Sequence, residues 1–152
     1  LLLSKIDNSQ FAETKEISLN EVLHRYSDDY REVYHYKSIT LDIREKATFR
    51  VQMNETLAVV LVTNLLKNAF VHNIDKGMIR VEITSSSIRF GNTGADVALD
   101  DKRIFERFYQ GSRKREGSTG LGLAIVHAIC RQCRLQVRYR FLDGMHWLEV
   151  YK

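Results

Sequence analysis

The sequence contains no proline, and it has only two cysteines and one tryptophan in 152 residues. Cys130 and Cys133 form a single C-x-x-C pair, and no further ligands stand at the spacing that a zinc site needs. A redox pair gains reactivity at the N-terminus of a helix, whereas this pair falls near the predicted C-terminus of one. We therefore expect two reduced structural thiols, as in a cytosolic protein.

Long apolar segments are also absent. The longest wholly apolar run is Leu57–Val62, far short of the roughly 20 residues of a membrane-spanning helix. Leu1–Leu3 lacks the basic flank and the long apolar core of a signal peptide. Any membrane-spanning part of the parent protein is expected to lie outside this chain.

The excess of positive charge is small, at +4. It suits an anionic ligand but does not require nucleic acid. The segment RLQVRYRF (134–141) places arginines beside aromatic residues, a combination that would suit RNA. Its apolar residues alternate, however, and this favours a strand whose arginines face water. We expect no nucleic-acid partner.

Hydrophobic periodicity and turn residues predict an α+β fold. The predicted helices cover 18–37, 54–72 and 119–132, and the predicted strands cover 39–43, 47–51, 78–84, 87–91, 135–141 and 145–151. Three helices and a sheet of five or more strands favour a two-layer sandwich. Residues 1–14 are interpreted as the end of a preceding helix and a polar linker, and residues 15–152 as the domain itself.

Two asparagines stand four residues apart on the second predicted helix. Asn64 and Asn68 therefore share a face, with Leu57 and Leu61 above them and His72 below. A buried, unpaired amide costs on the order of 1–3 kcal/mol, so each asparagine needs a partner. Either each amide bonds a neighbouring backbone group, or an amide oxygen coordinates a hard cation such as Mg²⁺.

Three glycines precede the body of the third predicted helix, in the segment GSTGLGL. Gly117, Gly120 and Gly122 let the backbone approach a ligand closely, and Ser118 and Thr119 are expected to cap the helix. The exposed N–H groups of a first helical turn attract phosphate. The segment is neither a Walker A motif nor a dinucleotide fingerprint. The alternative is a flexible loop ahead of an ordinary helix start.

The segment FGNTG follows a predicted strand. Asn92 has the groups to pair with the edge of a base, and Gly94 would let the backbone pass the ring. A simple Asn/Gly turn is the alternative interpretation.

Residues 92–118 lack regular periodicity and are too many for an inert connection, which indicates a functional loop. Phe105 and Phe108 are expected to anchor this loop in the core. Arg113, Lys114 and the arginine after them would then be free to reach phosphate. A solvated basic loop is the alternative for these three side chains.

In this order, NLLKNA, GNTG, RIFERFY and GSTGLGLAIV resemble the N, G1, F and G2 boxes of the catalytic ATP-binding domain of sensor histidine kinases. These kinases belong to the gyrase/Hsp90/histidine kinase/MutL ATPase superfamily. The initial LLLSKIDNSQF looks like the last turns of the preceding dimerisation helix, so the resemblance covers essentially the whole chain. It implies a Bergerat-type fold, a two-layer α/β sandwich with a mixed sheet of about five strands packed on three helices.

The resemblance also implies roles for individual residues, with ATP and Mg²⁺ bound between the N-box helix and a lid. Asn68 would be the Mg²⁺ ligand and Asn64 a helper that faces the nucleotide, with Arg107 as a further catalytic residue. Asn92 takes the position of the family's adenine-reading Asp, and His72 would stack. The other implied cofactor-binding residues are Gly94, Phe105, Arg113, Lys114, Gly117, Thr119, Gly120, Leu121 and Gly122.

The sequence departs from the family's motifs at several places. Val71 and Gln110 stand where the family usually has basic residues, and the G1 motif carries Asn92 instead of Asp and lacks its second glycine. These departures bear on phosphoryl transfer more than on ATP binding. The candidates to replace the missing charge are Arg107, Arg113, Lys114 and Arg115.

None of the five histidines stands in the family's phosphoacceptor box, which a chain without proline cannot contain intact. The resemblance therefore implies transfer of the γ-phosphate to a histidine upstream of Leu1, followed by relay to the receiver domain of a response regulator. The parent protein would be a homodimeric inner-membrane sensor with this domain in the cytoplasm. Two alternatives stay open: a degenerate ATP-sensing module without phosphotransfer, and a serine kinase or ATPase of the same superfamily.

Overall fold

The computed structural model describes residues 2–8, 10–107, 109 and 120–152. The helices in this part of the chain are α1 (Leu2–Asp7), α2 (Leu19–Val33), α3 (Glu55–Val71) and α4 (Gly122–Gln132), with a 3-10 helix at His35–Lys37. The strands are β1 (Lys15–Ser18), β2 (Thr40–Glu45), β3 (Arg50–Met53), β4 (Met78–Ile83), β5 (Ser87–Thr93), β6 (Gln136–Leu142) and β7 (Met145–Tyr151).

Five strands form the main sheet in the order β2-β4-β5-β7-β6. Strands β2 and β4 are parallel and the other neighbours antiparallel, so the sheet is mixed. Helix α3 contacts both α2 and α4 and lies over β5. The predicted α+β sandwich, with a mixed five-stranded sheet packed on three helices, is confirmed.

Buried and partly exposed side chains alternate along the central strands, and the buried ones form the core between the two layers. On β4 every second side chain is fully buried, at Ile79, Val81 and Ile83. Strand β7 follows the same pattern, with His146 in phase with Leu148 and Val150. A period of two places these side chains on the helix-covered face of the sheet.

Helix α3 matches the prediction closely. Its N-cap is Asn54, whose Oδ1 accepts a hydrogen bond from the Leu57 N–H at 3.1 Å. The helix ends at Val71 with His72 as the C-cap. Because α3 lies between two other helices and the sheet, nearly every turn is buried, as its continuous apolar sequence predicts.

Several predicted boundaries were wrong. Helix α2 ends at Val33, because the chain tightens into a 3-10 turn before Ser38, whose φ of 54° is left-handed. The strand predicted at 47–51 lies at 50–53, where it pairs with β1. Strand β1 has the sequence KEIS and buries only Ile17, so it lacks a recognisable strand pattern. The helix predicted from Thr119 is described from Gly122, and residue 119 lies outside the described residues.

The prediction for β5 was also too short, and this error concerns the candidate site. The strand continues through Thr93, so the FGNTG motif ends β5 instead of following it. Asn92 pairs with Ile79 on one side and with His146 on the other. Asn and Gly favour turns locally, but pairing on both edges overrides that preference.

Helix α1 packs against α4, and Ile6 is 1% exposed within the core. Asp7 lies 3.6 Å from Arg131 at the end of α4. The predicted end of a helix at the start of the chain is therefore a helix, whereas the domain boundary after residue 14 stays a prediction. Within the described residues, none of the helices has both the length and the apolar character to cross a membrane.

Candidate functional site

The two asparagines of α3 share a face but differ in their partners. The Nδ2 atom of Asn64 donates a hydrogen bond to the Val60 carbonyl at 2.8 Å, so this amide is held by its own helix. Asn68, one turn further on, is half-buried, and its side chain makes no hydrogen bond to the residues that the structure describes. The Asn68 amide can therefore bind a ligand without breaking an internal bond.

The start of α4 lies directly against Asn64. A Cβ atom added at Gly122 would be 3.1 Å from Asn64 Oδ1, so only glycine fits there without displacement. Just before it, Gly120 has a left-handed φ of 73°, and Leu121 occupies the N-cap position without a side-chain cap. The first-turn N–H groups of α4 are thus left uncapped by that side chain, beside the asparagine face of α3.

The end of β5 closes against the other end of α3. A Cβ atom at Gly94 would lie 2.9 Å from the His72 carbonyl oxygen and 3.2 Å from His146 Cδ2. A larger residue at position 94 would therefore push β5 away from α3. The His72 side chain, predicted to stack on a ligand, is only 9% exposed.

Asn92 is 3% exposed, and its Nδ2 donates to the Thr93 carbonyl at 2.8 Å. A carbonyl oxygen only accepts, so the amide nitrogen must face it and the Oδ1 atom must point the other way. Asn92 therefore has an acceptor directed away from its own backbone bond.

A hydrogen-bond network that the sequence analysis did not predict holds the backbone at the end of β5. Thr93 donates through Oγ1 to Asn73 Oδ1 at 2.5 Å and accepts from the Met78 N–H at 2.9 Å. Asn73 is 1% exposed and also donates to the carbonyls of Ala69 and Met78. These bonds link the C-terminal end of α3 to β4 and β5.

The segment with the sequence RIFERFY is only partly described. Ile104 is 3% exposed and is the deep anchor, while Phe105 is half-buried and stacks on His127 of α4 with ring centroids 5.6 Å apart. Sequence reasoning assigned the anchor to the two phenylalanines, and Ile104 was missed. Arg107 is exposed. Six residues predicted to anchor or to bind lie outside the described residues: Phe108, Arg113, Lys114, Arg115, Gly117 and Thr119.

Val71, at the place where a basic residue was expected, is 8% exposed and belongs to the buried part of α3. A lysine reaches the same helix end from a different segment, because Lys37 Nζ donates to the carbonyls of Phe70 at 2.7 Å and Val71 at 3.1 Å. A cation at the C-terminus of a helix is favourable. Sequence reasoning missed Lys37, since the contact joins residues that are far apart in the chain.

The cysteine pair has no active-site character. Both thiols are free, and burial, with a smaller contribution from Cys133, raises the pKa of the Cys130 thiol to about 12. Burial also raises the pKa of the Cys133 thiol. Nucleophilic thiols have lowered pKa values, so a structural role fits both residues. In the described ranges, no three His, Cys, Asp or Glu side chains group closely enough to hold a metal ion.

Comparison with known proteins supports the resemblance that the sequence motifs indicated. The sequence model of the family described as histidine kinase-, DNA gyrase B-, and HSP90-like ATPase matches residues 53–145. The sensor histidine kinase RppB of Synechocystis sp. is 32% identical over 140 residues, which are 85% of this chain and 31% of that protein. The chain thus spans about a third or less of the length of the curated relatives it matches.

Solved structures show the same fold. The mycobacterial sensor histidine kinase MprB superposes with a TM-score of 0.78 at 19% identity, covering 90% of this chain and 95% of that one. Histidine kinase ThkA, solved in complex with the response regulator protein TrrA, gives a TM-score of 0.71 at 19% identity, covering 97% of this chain and 46% of that one.

Proposed function

Because the chain belongs to the family of histidine kinase-, DNA gyrase B-, and HSP90-like ATPases, we propose that it is the ATP-binding catalytic domain of a two-component sensor histidine kinase. The domain transfers the γ-phosphate of ATP to a histidine on a dimerisation domain outside this chain. The phosphoryl group then passes to the receiver domain of a response regulator. The parent protein is a homodimeric inner-membrane sensor that carries this domain on its cytoplasmic side.

The convergence of three sequence motifs on α3 carries this proposal. Gly122 places the start of α4 against Asn64, and Gly94 places the end of β5 against the carbonyl of His72. The face of α3 between these two contacts holds Asn68, whose amide is available to a ligand. A phosphate-binding helix start and a base-reading strand end therefore flank one helix, as an extended nucleotide requires.

The residues present fit a magnesium ion at Asn68. Mg²⁺ prefers oxygen ligands and in nucleotide sites is held by one or two protein groups together with phosphates. In the described part of the chain, the Asn68 side chain makes no hydrogen bond, so it can turn its amide oxygen to the ion. The Asn64 side chain is held by its Nδ2 bond to Val60 and has its Oδ1 atom at the start of α4, which suits a helper. When bound, the ion supplies charge neutralisation to the phosphates.

Asn92 reads the adenine through its Oδ1 atom. The exocyclic amine of adenine donates hydrogen bonds, and the bond from Asn92 Nδ2 to Thr93 leaves Oδ1 as the acceptor. The phosphates lie toward the backbone of Gly120, Leu121 and Gly122 at the start of α4, because the N–H groups of a first helical turn favour anions. Gly94, His72 and Phe105 border the same nucleotide, and Gly117, Thr119, Arg113, Lys114 and Arg107 complete the set of proposed ligands.

The chemistry requires positioning more than covalent participation by this chain. A neutral imidazole nitrogen of the acceptor histidine forms a bond to the γ-phosphorus while the bond from that phosphorus to the bridging oxygen breaks, and ADP leaves. The imidazole then loses its N–H proton to solvent. Such transfers are accelerated mainly by alignment and by stabilisation of charge on the phosphoryl oxygens. No residue of this chain need act as a general base.

Radiolabelled transfer tests the proposal. With γ-labelled Mg-ATP, we expect label on an added cognate dimerisation domain and none on this chain alone, because the chain lacks the acceptor motif. Addition of the response regulator should then move the label to its receiver domain, and the complex of ThkA with TrrA is a precedent for such a partner. Stable acid-labile label on this chain by itself would contradict the proposal.

A second function, an ATP-sensing module without phosphotransfer, rests on Val71. The position where the family usually carries a basic residue is buried and apolar, and Lys37 at the same helix end is bonded to backbone carbonyls. If this function is correct, Mg-ATP binds with ordinary affinity while transfer to the supplied histidine domain is absent.

A further inference from the structure

A series of three hydrogen bonds connects the segment that follows β5 with strands β6 and β7. The Leu99 N–H donates to Tyr139 Oη at 3.0 Å, Tyr139 Oη lies 2.7 Å from His146 Nδ1, and His146 Nε2 lies 2.6 Å from the Ala95 carbonyl oxygen. Tyr139 and His146 are 8% and 3% exposed. We call these two side chains, with the Ala95 and Leu99 backbone, the Tyr139–His146 anchor.

The chemistry of the partners fixes the protons along the anchor. The Ala95 carbonyl only accepts, so in a neutral His146 ring the Nε2 atom must carry the hydrogen and donate it. The Nδ1 atom is then an acceptor, and the Tyr139 hydroxyl donates to it. The Tyr139 oxygen still accepts from Leu99. All three bonds are satisfied at once by the Nε2–H tautomer.

Packing holds the His146 ring at one orientation. Tyr139 stacks on it with ring centroids 5.9 Å apart, and Phe141 packs at 4.7 Å from the same strand. In the register of the sheet, His146 is directly opposite Asn92. A Cβ atom at Gly94 would be 3.2 Å from the ring. The anchor therefore lies beside the Asn92–Gly94 segment on the neighbouring strand and also holds the chain that follows this segment.

We propose that Tyr139 and His146 are positioning residues for nucleotide recognition, which hold Ala95 and Leu99 so that Asn92 and Gly94 keep the shape that reads the base. This inference rests on the function proposed above. Neither side chain need touch the nucleotide, because each acts through the backbone that follows the base-reading motif.

The distribution of the hydrogen bonds supports a positioning role. Burying a hydroxyl and an imidazole among aromatic and aliphatic side chains is costly unless both are bonded, and apolar side chains would fill the same space without that cost. The outer bonds of the anchor go to the backbone of residues 95–99, away from the strand ladder. What the two polar residues specify is therefore the path of this segment.

Tyr139→Phe tests the inference, because it removes the hydroxyl and keeps the stacked ring. Tyr151→Phe is the matched control, since Tyr151 lies on the adjacent strand and, among the described residues, its hydroxyl makes only an exposed 3.4 Å bond to Gln136. From the loss of one or two buried hydrogen bonds, we expect Mg-ATP to bind about three- to tenfold more weakly to Tyr139→Phe and unchanged to Tyr151→Phe. Amide exchange at Leu99, followed by NMR, should accelerate only in Tyr139→Phe.

Two further readouts separate positioning from general stability. The ratio of ATP to GTP affinity should fall in Tyr139→Phe, because Asn92 loses its orientation, whereas mere destabilisation would weaken both nucleotides alike. If Tyr139→Phe does not fold, a pair of variants at His146 replaces it. His146→Gln retains a donor for the Ala95 carbonyl and should bind ATP more tightly than His146→Leu, which has no donor.

Unchanged ATP affinity and an unchanged ATP/GTP ratio in Tyr139→Phe, with faster exchange at Leu99, would overturn the inference while leaving the proposed function intact. Equal binding by His146→Gln and His146→Leu would overturn it as well. If the wild-type protein binds no Mg-ATP, the proposed function fails and the inference fails with it.

Discussion

The end of β5 and the middle of α3 both contribute asparagines to the candidate site, but Asn92 and Asn68 differ in their internal hydrogen bonds. At the end of β5, Asn92, Thr93 and the supporting Asn73 all make internal hydrogen bonds. On α3, the Asn68 side chain makes none to the described residues. The comparison indicates a division of roles, in which Thr93 and Asn73 fix the backbone, Asn92 keeps its Oδ1 atom for the base, and the unbonded amide of Asn68 serves the metal.

Gly77→Ala should have the largest effect, since it breaks the bonded region. A Cβ atom at position 77 would lie 2.0 Å from Asn73 Oδ1 and 2.4 Å from Thr93 Oγ1. Both side chains are locked in the network, so we expect the free energy of unfolding to fall by about 3 kcal/mol, at the upper end for overpacked sites. Urea unfolding measures this change.

Gly144→Ala is the matched control for that measurement. Gly144 has a left-handed φ of 75°, but nothing lies within 4 Å of its added Cβ atom. Only backbone strain remains, for which we expect roughly 1 kcal/mol. Equal losses at the two glycines would show that the network at Asn73 tolerates displacement and is not a rigid support.

Asn92→Asp should have an intermediate effect, since it is expected to lower stability and to raise the preference for ATP over GTP. A carboxylate cannot donate to the Thr93 carbonyl, so the bond at 2.8 Å is lost and stability should fall by about 1–3 kcal/mol. A charged acceptor should at the same time favour ATP over GTP by roughly 1 kcal/mol, the scale of one charge-assisted hydrogen bond. Calorimetric titration of both nucleotides against both proteins tests this, and an unchanged ATP/GTP ratio would mean that Asn92 only shapes the strand end.

The smallest effect is expected far from the site, where Glu45 joins β2 to α2. Hydrogen bonds from Asn20 and then from His24 hold the pKa of Glu45 below its ordinary value of 4.5. A lowered pKa in the folded state stabilises the protein above pH 4.5, and this contribution is lost as the pH falls through the folded value. Because the side chains of Glu45 and His24 are exposed to solvent, we expect this contribution to the free energy of unfolding to be under about 1 kcal/mol.

Thermal unfolding of Glu45→Gln between pH 3 and 7 measures that contribution. Relative to wild type, the variant should be less stable at pH 7, with the difference shrinking as the pH is lowered. ATP affinity should not change. A difference that grows toward acid pH would contradict the direction of the pKa shift.

The contrast between the two regions also explains what the sequence could predict. Helix α3 is governed by local signals, an Asn54 cap and a long apolar stripe, and both were read correctly. The strand β5 was predicted to end at residue 91, before Asn92, because the strands that pair with Asn92 on each side come from elsewhere in the chain. Local preference predicts an element well only where distant pairing does not overrule it.

Residues that act through tertiary contacts were the ones that sequence reasoning missed. Lys37 reaches the end of α3 from a segment more than thirty positions earlier. His146 had a usable signal, since it is in phase with Leu148 and Val150 on a strand whose alternate residues face inward. A buried histidine needs hydrogen-bond partners, so its inward-facing position on the strand is enough to predict a polar contact in the core. Nothing in the sequence pairs it with Ala95.

The central claim, that the chain binds Mg-ATP through the unbonded amide of Asn68, is tested most directly by isothermal titration of ATP with and without Mg²⁺. Wild type should bind ATP more tightly when Mg²⁺ is present, and Asn68→Ala should lose about tenfold or more of that affinity, as expected for removal of a metal ligand. The unfolding free energy of Asn68→Ala should stay within about 0.5 kcal/mol of wild type, because no hydrogen bond to the described residues is removed. Equal ATP affinity with and without Mg²⁺ in both proteins would contradict the claim.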